Sequence, residues 1–252
     1  MSTPRRHLGD MTTDETRMLL ASGRVAVLVP VGSVEPHGPH LPLFTDTLIS
    51  EQASTRAIEL LRLRNIQAVV GPSVPYGVTQ YAAGFAGAIG VSADALVAFL
   101  RAVCEQFLAT GFAHVCLVNN HLEPAHDEAV RASVAGFAKG TTSVACPLTR
   151  RWGRTLTDEY KRGNCHAGRY ETSLVLAGGA EVRAGYEKLP SIDTSLADGI
   201  RSGKKTFAEM GLDRAYTGSP AEASREEGEA TYEKLAEMIA TEVAEALDTA
   251  GG

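Results

Sequence analysis

Acidic and imidazole side chains are concentrated in three short stretches of the sequence. The first reads GSVEPHGPHLPLFTD over residues 32–46 and contains Glu35, His37 and Asp46. Residues two apart in an extended loop point the same way, so Glu35 and His37 can converge on one point. Carboxylates and imidazoles together suit zinc, manganese or iron. The stretch therefore predicts ligands for a divalent metal.

The second stretch reads NNHLEPAH over residues 119–126, and in it His121 and Glu123 repeat the spacing of the first pair. Two such pairs, with Asp46 as a possible bridge, could hold two metals. Two metals roughly 3.5–4 Å apart polarise a carbonyl and make hydroxide from bound water at neutral pH. We interpret the nearby His126 as an ordinary helix-surface residue.

The third stretch reads CHAGRYETS over residues 165–173. His166 precedes a predicted helix, and Glu171 lies in the first turns of that helix. Because the pKa of histidine is near neutrality, His166 could serve as general acid to a leaving nitrogen, or it could simply brace the helix. Glu171 is either a catalyst or a residue that orients a ligand. Cys165 is interpreted as an unreactive thiol.

The elements that must position these residues alternate along the chain. Strands are predicted over residues 24–31, 66–70, 113–118 and 142–146, with helices over 46–64, 92–110, from 124, 168–177 and 220–247. Such alternation is typical of an α/β fold. We predict a single domain over residues 1–252, a three-layer sandwich with a mostly parallel central sheet covered by helices on both faces. Ligands bind such sheets at the carboxyl ends of the strands, where the first two stretches lie.

Composition excludes several classes of partner. The net charge is −6 and there is no long run of basic residues, which argues against nucleic acid. No apolar run approaches the roughly 20 residues of a membrane helix, and the N-terminus does not resemble a signal peptide. The four cysteines are scattered without a CxxC pair, as in reduced proteins. We therefore expect a cytoplasmic protein that contacts neither nucleic acid nor membrane.

The three stretches together resemble the creatininase family of creatinine amidohydrolases and their relatives. The family pattern reads roughly GSxEQHGPHLPLxTD, then NGH followed by a variable triplet, then HAGxxETS. This chain has GSVEPHGPHLPLFTD, NNHLEP and HAGRYETS in the same order, and residues 216–229 (YTGSPAEASREEGE) resemble the closing segment of the family. The resemblance extends over nearly the whole chain.

The resemblance implies a centre with two divalent metals per chain, which could be zinc, manganese or iron. By analogy, Glu35, Asp46 and His121 hold one metal. The second metal would be held by His37, Glu123 and the same Asp46, which would bridge the two. Members of the family usually assemble as homohexamers, so a closed homo-oligomer is also implied.

The resemblance also implies the roles in catalysis. His166 matches the catalytic histidine of the family, and Glu171 matches the acidic residue of the same motif. A metal-bound hydroxide, oriented by Glu123 or Glu171, would attack an amide carbonyl, and His166 would protonate the departing nitrogen.

The expected substrate is a small-molecule amide, such as a cyclic amide or a formamide. Creatinine itself is not expected, since Arg162 stands where creatininase closes over its substrate with a tryptophan. A group of basic residues in this region could favour a substrate with a carboxylate or phosphate: Arg150, Arg151, Arg154, Arg162 and Arg169. Two alternatives stay open, namely a peptidase or deformylase with one dominant metal and a non-catalytic relative that binds a metabolite.

Overall fold

The computed structural model describes residues 7–249, and a parallel sheet of four strands lies at its centre. The strands lie in the order β2-β1-β3-β4: β1 (Val25–Val31), β2 (Gln67–Val70), β3 (His114–Asn119) and β4 (Thr142–Ala145). In the register, Val27 lies between Val69 and Val115. Every residue of β1 is buried, as expected for a strand covered on both faces.

Helices cover both faces of the sheet. Within residues 7–249 they are α1 (Thr13–Ala21), α2 (Thr45–Leu63), α3 (Ala93–Ala109), α4 (Pro124–Val134), α5 (Arg150–Gly153), α6 (Asp158–Arg162), α7 (Arg169–Gly178), α8 (Leu196–Arg201) and α9 (Arg225–Thr249). Ala26 and Leu28 of β1 pack in the core that α2, α7 and α9 form. Val27 and Val29 point the other way, into the core with α3 and α4. The predicted three-layer α/β sandwich is confirmed, and no helix of the described residues is long and apolar enough to span a membrane.

Local signals in the sequence account for the start of several helices. Thr12 and Glu15 form a capping box at α1, because each side chain accepts a hydrogen bond from the backbone of the other. Ser92 caps α3, and Pro124 occupies the first turn of α4, where its missing N–H costs nothing. The predicted helix over residues 46–64 differs from α2 by one residue at each end.

Two regions carry structure that the pattern of residues did not predict. Residues 150–165 contain α5 and α6, which are too short to show a helical period. Trp152 anchors α5, since its indole nitrogen donates a hydrogen bond of 2.6 Å to Glu242 of α9. Residues 191–210 form α8 and a small apolar cluster that includes Phe207 and Met210. Both regions lie beside the candidate site.

Candidate metal centre

The loops after β1 and β3, the loop before α7 and the first turns of α2 and α7 bring three imidazoles and three carboxylates together. All six side chains are buried, and their possible ligand atoms form three groups in which every atom lies within 4.8 Å of the others. The six residues are Glu35, His37, Asp46, His121, His166 and Glu171.

Asp46 stands between two of these groups. Its Oδ1 lies 3.2 Å from Nε2 of His37, and its Oδ2 lies 3.0 Å from Nδ1 of His121. The first group is Glu35, Asp46 and His121, and the second is His37, Asp46 and Glu171. The two oxygens of one carboxylate therefore face two different sets of ligands.

Backbone carbonyls orient the three imidazole rings. A carbonyl oxygen that accepts from one ring nitrogen fixes the proton there and leaves the lone pair of the other nitrogen free. In each ring here, the nitrogen without a carbonyl partner faces the carboxylates. The three bonds join His37 Nδ1 to the Glu35 carbonyl at 3.1 Å, His121 Nε2 to that of Val78 at 2.7 Å, and His166 Nε2 to that of Pro36 at 3.0 Å.

The loop over residues 77–81 completes the centre, and neither its position nor its contacts were predicted. The Thr79 hydroxyl donates a hydrogen bond of 2.6 Å to Oε2 of Glu35. His126 supports this loop, because its Nδ1 accepts from the Val78 N–H at 3.2 Å. A Cβ at Gly77 would lie only 2.5 Å from that nitrogen, so the close approach requires glycine. The prediction that His126 lies on a helix surface is wrong: the loop covers it completely.

The pKa values within the centre reflect a concentration of buried negative charge. Burial alone would lower the pKa of His37, but the carboxylates of Asp46 and Glu171 outweigh it and raise that pKa to about 10. Burial and the neighbouring carboxylates raise the pKa of Glu171 to about 8. Burial opposes ionisation of Glu35, yet the His121 imidazole beside it lowers that pKa to about 2. The carboxylates thus require positive charge close to them.

The unsatisfied atoms indicate what would supply that charge. His37 Nε2 and Asp46 Oδ2 are buried without a hydrogen-bond partner. Asp46 Oδ2 is close to His121 Nδ1, but the two do not have hydrogen-bond geometry. Orphaned buried polar atoms are rare in proteins and call for an explanation. The carboxylate oxygens and imidazole nitrogens converge without hydrogen-bonding one another. Such a set of oxygen and nitrogen atoms fits divalent metal ions such as zinc, manganese or iron.

Glu123, which the sequence places among the metal ligands and the catalytic residues, lies apart from these groups. Its carboxylate accepts hydrogen bonds from the backbone N–H of Gln80, at 3.0 and 2.9 Å, and from that of Tyr81 at 3.3 Å. Glu171 stands beside His37 instead, with its Oε2 3.4 Å from Nε2 of the imidazole. The Ala167 N–H, at 2.6 Å, holds Glu171 in that position.

His166 lies at the edge of the centre, in the wall of a cavity. Its Nδ1 is 3.8 Å from Oε1 of Glu35, and its ring centroid is 4.6 Å from that of Phe207. Burial, and then the nearby His37, lower the pKa of His166 to about 4. The ring is therefore held as a neutral imidazole with its free lone pair toward the carboxylates.

The cavity that leads to the centre has a volume of about 570 Å³. Its wall is largely apolar, with side chains such as Leu122, Leu148, Ile200 and Phe207. The lining also includes basic residues that are exposed to solvent: Arg150, Arg154, Lys161 and Arg201.

Of the five arginines considered as a substrate clamp, only Arg150 and Arg154 line this cavity. Arg151 makes an ion pair with Glu245, and Arg169 makes ion pairs with two glutamates of the closing segment. The sequence could not separate these roles, because the acidic partners lie 50 or more positions away.

Comparison with known proteins agrees with the geometry. The family model described as Creatininase, creatinine amidohydrolase, matches residues 9–243. A mycofactocin precursor peptide peptidase from Mycolicibacterium smegmatis is 31% identical over 221 residues, which cover 84% of this chain and 81% of the relative. A creatininase structure with manganese has a TM-score of 0.70 at 21% identity, over 96% of this chain and 98% of that one. A creatininase variant of Zn-Zn type has the same TM-score at 20% identity, with the same coverage of both chains.

The family match spans nearly all of the described residues, and the fold of the solved creatininases is the fold seen here. The buried imidazoles and carboxylates lie on the motifs from which the resemblance was inferred. This chain belongs to the creatininase family and is an amidohydrolase of the creatininase type.

Proposed function

We propose that the chain hydrolyses a carbon–nitrogen bond of a small amide by means of two divalent cations. This proposal rests on one observation, namely that the two carboxylate oxygens of Asp46 face two different groups of ligands. Glu35 and His121 would complete one set of ligands, and His37 and Glu171 the other. Two divalent cations supply polarisation of the amide carbonyl and a lower pKa for water at the site.

His166 has the contacts expected of the group that moves the proton. Its Nε2–H is held by the Pro36 carbonyl, so its Nδ1 is free to accept a proton from the attacking water. The same Nδ1 would then return that proton to the departing nitrogen. Phe207 packs against the ring and limits its rotation, which keeps Nδ1 directed at the centre. This role agrees with the expected function of His166 as general acid.

Glu123 is proposed to position the centre rather than to bind a cation. Its carboxylate holds Gln80 and Tyr81 at the end of the loop whose Thr79 and Val78 orient Glu35 and His121. A glutamate in this role acts through the loop. It also lines the cavity, next to the space that a substrate would occupy.

The cavity supports a small substrate. Its volume of about 570 Å³ is that of a ligand site rather than of a groove for a protein chain. The chain's one tryptophan, Trp152, is not among the residues that line the cavity, which agrees with the expectation that creatinine is not the substrate. A short peptide is a second candidate, supported by the relative that is named a peptide peptidase.

The test combines metal analysis with a panel of lactams, formamides and dipeptides. We expect two tightly bound ions per chain, loss of turnover after chelation and recovery with zinc or manganese. Full turnover after exhaustive chelation would contradict the proposal. One dominant metal would instead favour the peptidase or deformylase alternative. Normal metal content and tight metabolite binding without any hydrolysis would favour a non-catalytic relative.

A further inference from the structure

Arg150 of α5 and Arg154, which directly follows that helix, line the cavity that contains the candidate centre. We propose that Arg150 and Arg154 bind an oxyanion, a carboxylate or a phosphate, on the substrate, so that the substrate is an anionic amide. This inference rests on the proposed function, because it assigns a substrate class to the same cavity.

The spacing of the two arginines gives them a common direction. Positions four apart on a helix lie on the same side, and Arg154 directly follows the last residue of α5. Arg151, between them, points elsewhere: its two terminal nitrogens each lie 2.7 Å from an oxygen of Glu245. Arg150 and Arg154 thus both line the cavity, whereas Arg151 is directed toward α9.

The charges of Arg150 and Arg154 are not neutralised within the described part of the chain. The other two basic residues of the lining have acidic partners, since Lys161 pairs with Asp158 and Arg201 pairs with Asp198. No carboxylate among residues 7–249 forms an ion pair with Arg150 or Arg154. Acidic residues outnumber basic ones by 30 to 24 in this chain, so the lack of an ion pair is not due to a shortage of carboxylates. Like charges repel, so an oxyanion bound by both arginines would offset the repulsion between two positive charges that line one cavity.

The residues that line the cavity favour a substrate with three chemically different parts. Its amide would lie at the buried end, beside His166 and the carboxylates. Leu122 and Ile200 offer no polar group to an anion, so the middle of the molecule would be apolar. The oxyanion would reach Arg150 and Arg154, whose planar forks match carboxylate and phosphate oxygens.

The test compares three ligands that differ only in the terminal group: N-acetylleucine, its phosphonate analogue and the neutral N-acetylleucinamide. Calorimetric titration of the metal-loaded protein measures binding without any need for turnover. We expect one or both anions to bind about tenfold more tightly than the neutral amide. The R150Q/R154Q double variant should lose that preference, and which anion loses most identifies carboxylate or phosphate as the preferred group. The preference should also weaken with added salt, because the two arginines are exposed.

The matched control is R162Q, which removes one charge from the neighbouring α6 at a position outside the cavity lining. This variant should keep the preference for the anion. Equal binding of charged and neutral ligands by the unmodified protein, including no binding of either, would overturn the inference. So would a preference that survives in R150Q/R154Q, since the anion would then lie elsewhere. Neither result depends on hydrolysis, so this experiment can contradict the inference without contradicting the proposed function.

Discussion

The two carboxylate oxygens of Asp46 face different imidazoles, and this division makes a single side chain common to both proposed cation sites. We expect Asp46→Asn to bind fewer than two ions per chain, because the amide carries no negative charge and only one oxygen. Its kcat/KM should fall by at least about a hundredfold. Elemental mass spectrometry and steady-state kinetics measure the two effects.

The control for this change lies on the same helix. Glu59 of α2 is exposed and paired with Arg62, so Glu59→Gln alters the charge of the helix without touching the centre. Glu59→Gln should retain both ions and normal activity. An Asp46→Asn variant that retains two ions with unchanged affinity would show that the aspartate does not bridge them.

Either Glu171 or Glu123 could be the glutamate that binds the second cation, and substitution of each distinguishes the two possibilities. The structure brings Glu171 to His37 and ties Glu123 to the amides of Gln80 and Tyr81. We therefore expect Glu171→Gln to lower the metal content and the activity together. Glu123→Gln should leave both ions bound while kcat falls, because the loop that orients Glu35 loosens. If Glu123→Gln lost an ion and Glu171→Gln did not, Glu123 would be the ligand of the second cation, as the family resemblance implies.

Spacing along the chain predicted part of this arrangement. Glu35 and His37 alternate in an extended loop after β1, and His121 follows β3, so parallel strands bring them to one edge. The surroundings of Glu171 and Glu123 depend on contacts between distant segments, such as that of Glu123 with residues 80 and 81. Local periodicity carries no information on such contacts.

At the scale of elements, a buried carboxylate joins α6 to the start of α7 and to the segment before α9. Glu159 of α6 accepts from the Tyr170 N–H through Oε2 and from the Ser219 N–H through Oε1, each at 2.7 Å. Burial raises the pKa of Glu159 despite these bonds. The segment that it clamps carries His166, whose carbonyl accepts from the Thr217 N–H. Glu159 thus fixes the backbone around the proposed proton-moving residue.

We expect Glu159→Gln to destabilise the fold by about 1–3 kcal/mol, because the new NH₂ group would face a backbone N–H donor without an acceptor. Denaturant unfolding measures the loss, and kcat should fall while the metal content stays at the unmodified level. Asp158→Asn is the matched control, since this neighbour in α6 is exposed and forms its ion pair within the described residues with Lys161. Equal stability of the two variants would show that the clamp contributes nothing.

The larger elements were predictable and the smaller ones were not. β1 is a continuous apolar run in the sequence, and α3 begins at a serine cap. The five-residue α6 has too few turns for a period, although Thr157 caps it and Gly163 ends it in the left-handed conformation. These short helices pack through residues such as Trp152, whose partner in α9 lies 90 positions away.

At the scale of the whole molecule, the buried carboxylates couple metal binding to stability. Cations that bind only the folded chain stabilise it by about 2.7 kcal/mol at a hundredfold excess over Kd. For a domain of this size, chelation should therefore lower Tm by roughly 5–10 °C, which differential scanning calorimetry measures. Asp46→Asn should respond less to the chelator. An unchanged Tm after complete removal of metal would argue against coordination by buried side chains.

The closed homo-oligomer implied by the family resemblance stays a prediction. Apolar side chains such as Leu43, Phe44 and Ile89 are 40–53% exposed, which is a feature of surfaces that contact another protein. Sedimentation equilibrium should give a mass several times that of the 26.7 kDa chain, and six times for a hexamer. A species with the mass of a single chain at all concentrations would contradict the prediction.

The position of Trp152 gives the molecule an optical reporter of its own. It is the one indole in the chain, it lies between Arg150 and Arg154 in sequence, and the guanidinium of Arg151 stacks 4.6 Å from its ring. Indole emission depends on nearby charge, so an anion that arrives beside α5 should shift the fluorescence without any added label. Occupancy of the outer part of the cavity could then be followed on the millisecond scale, separately from whatever happens at the buried cations.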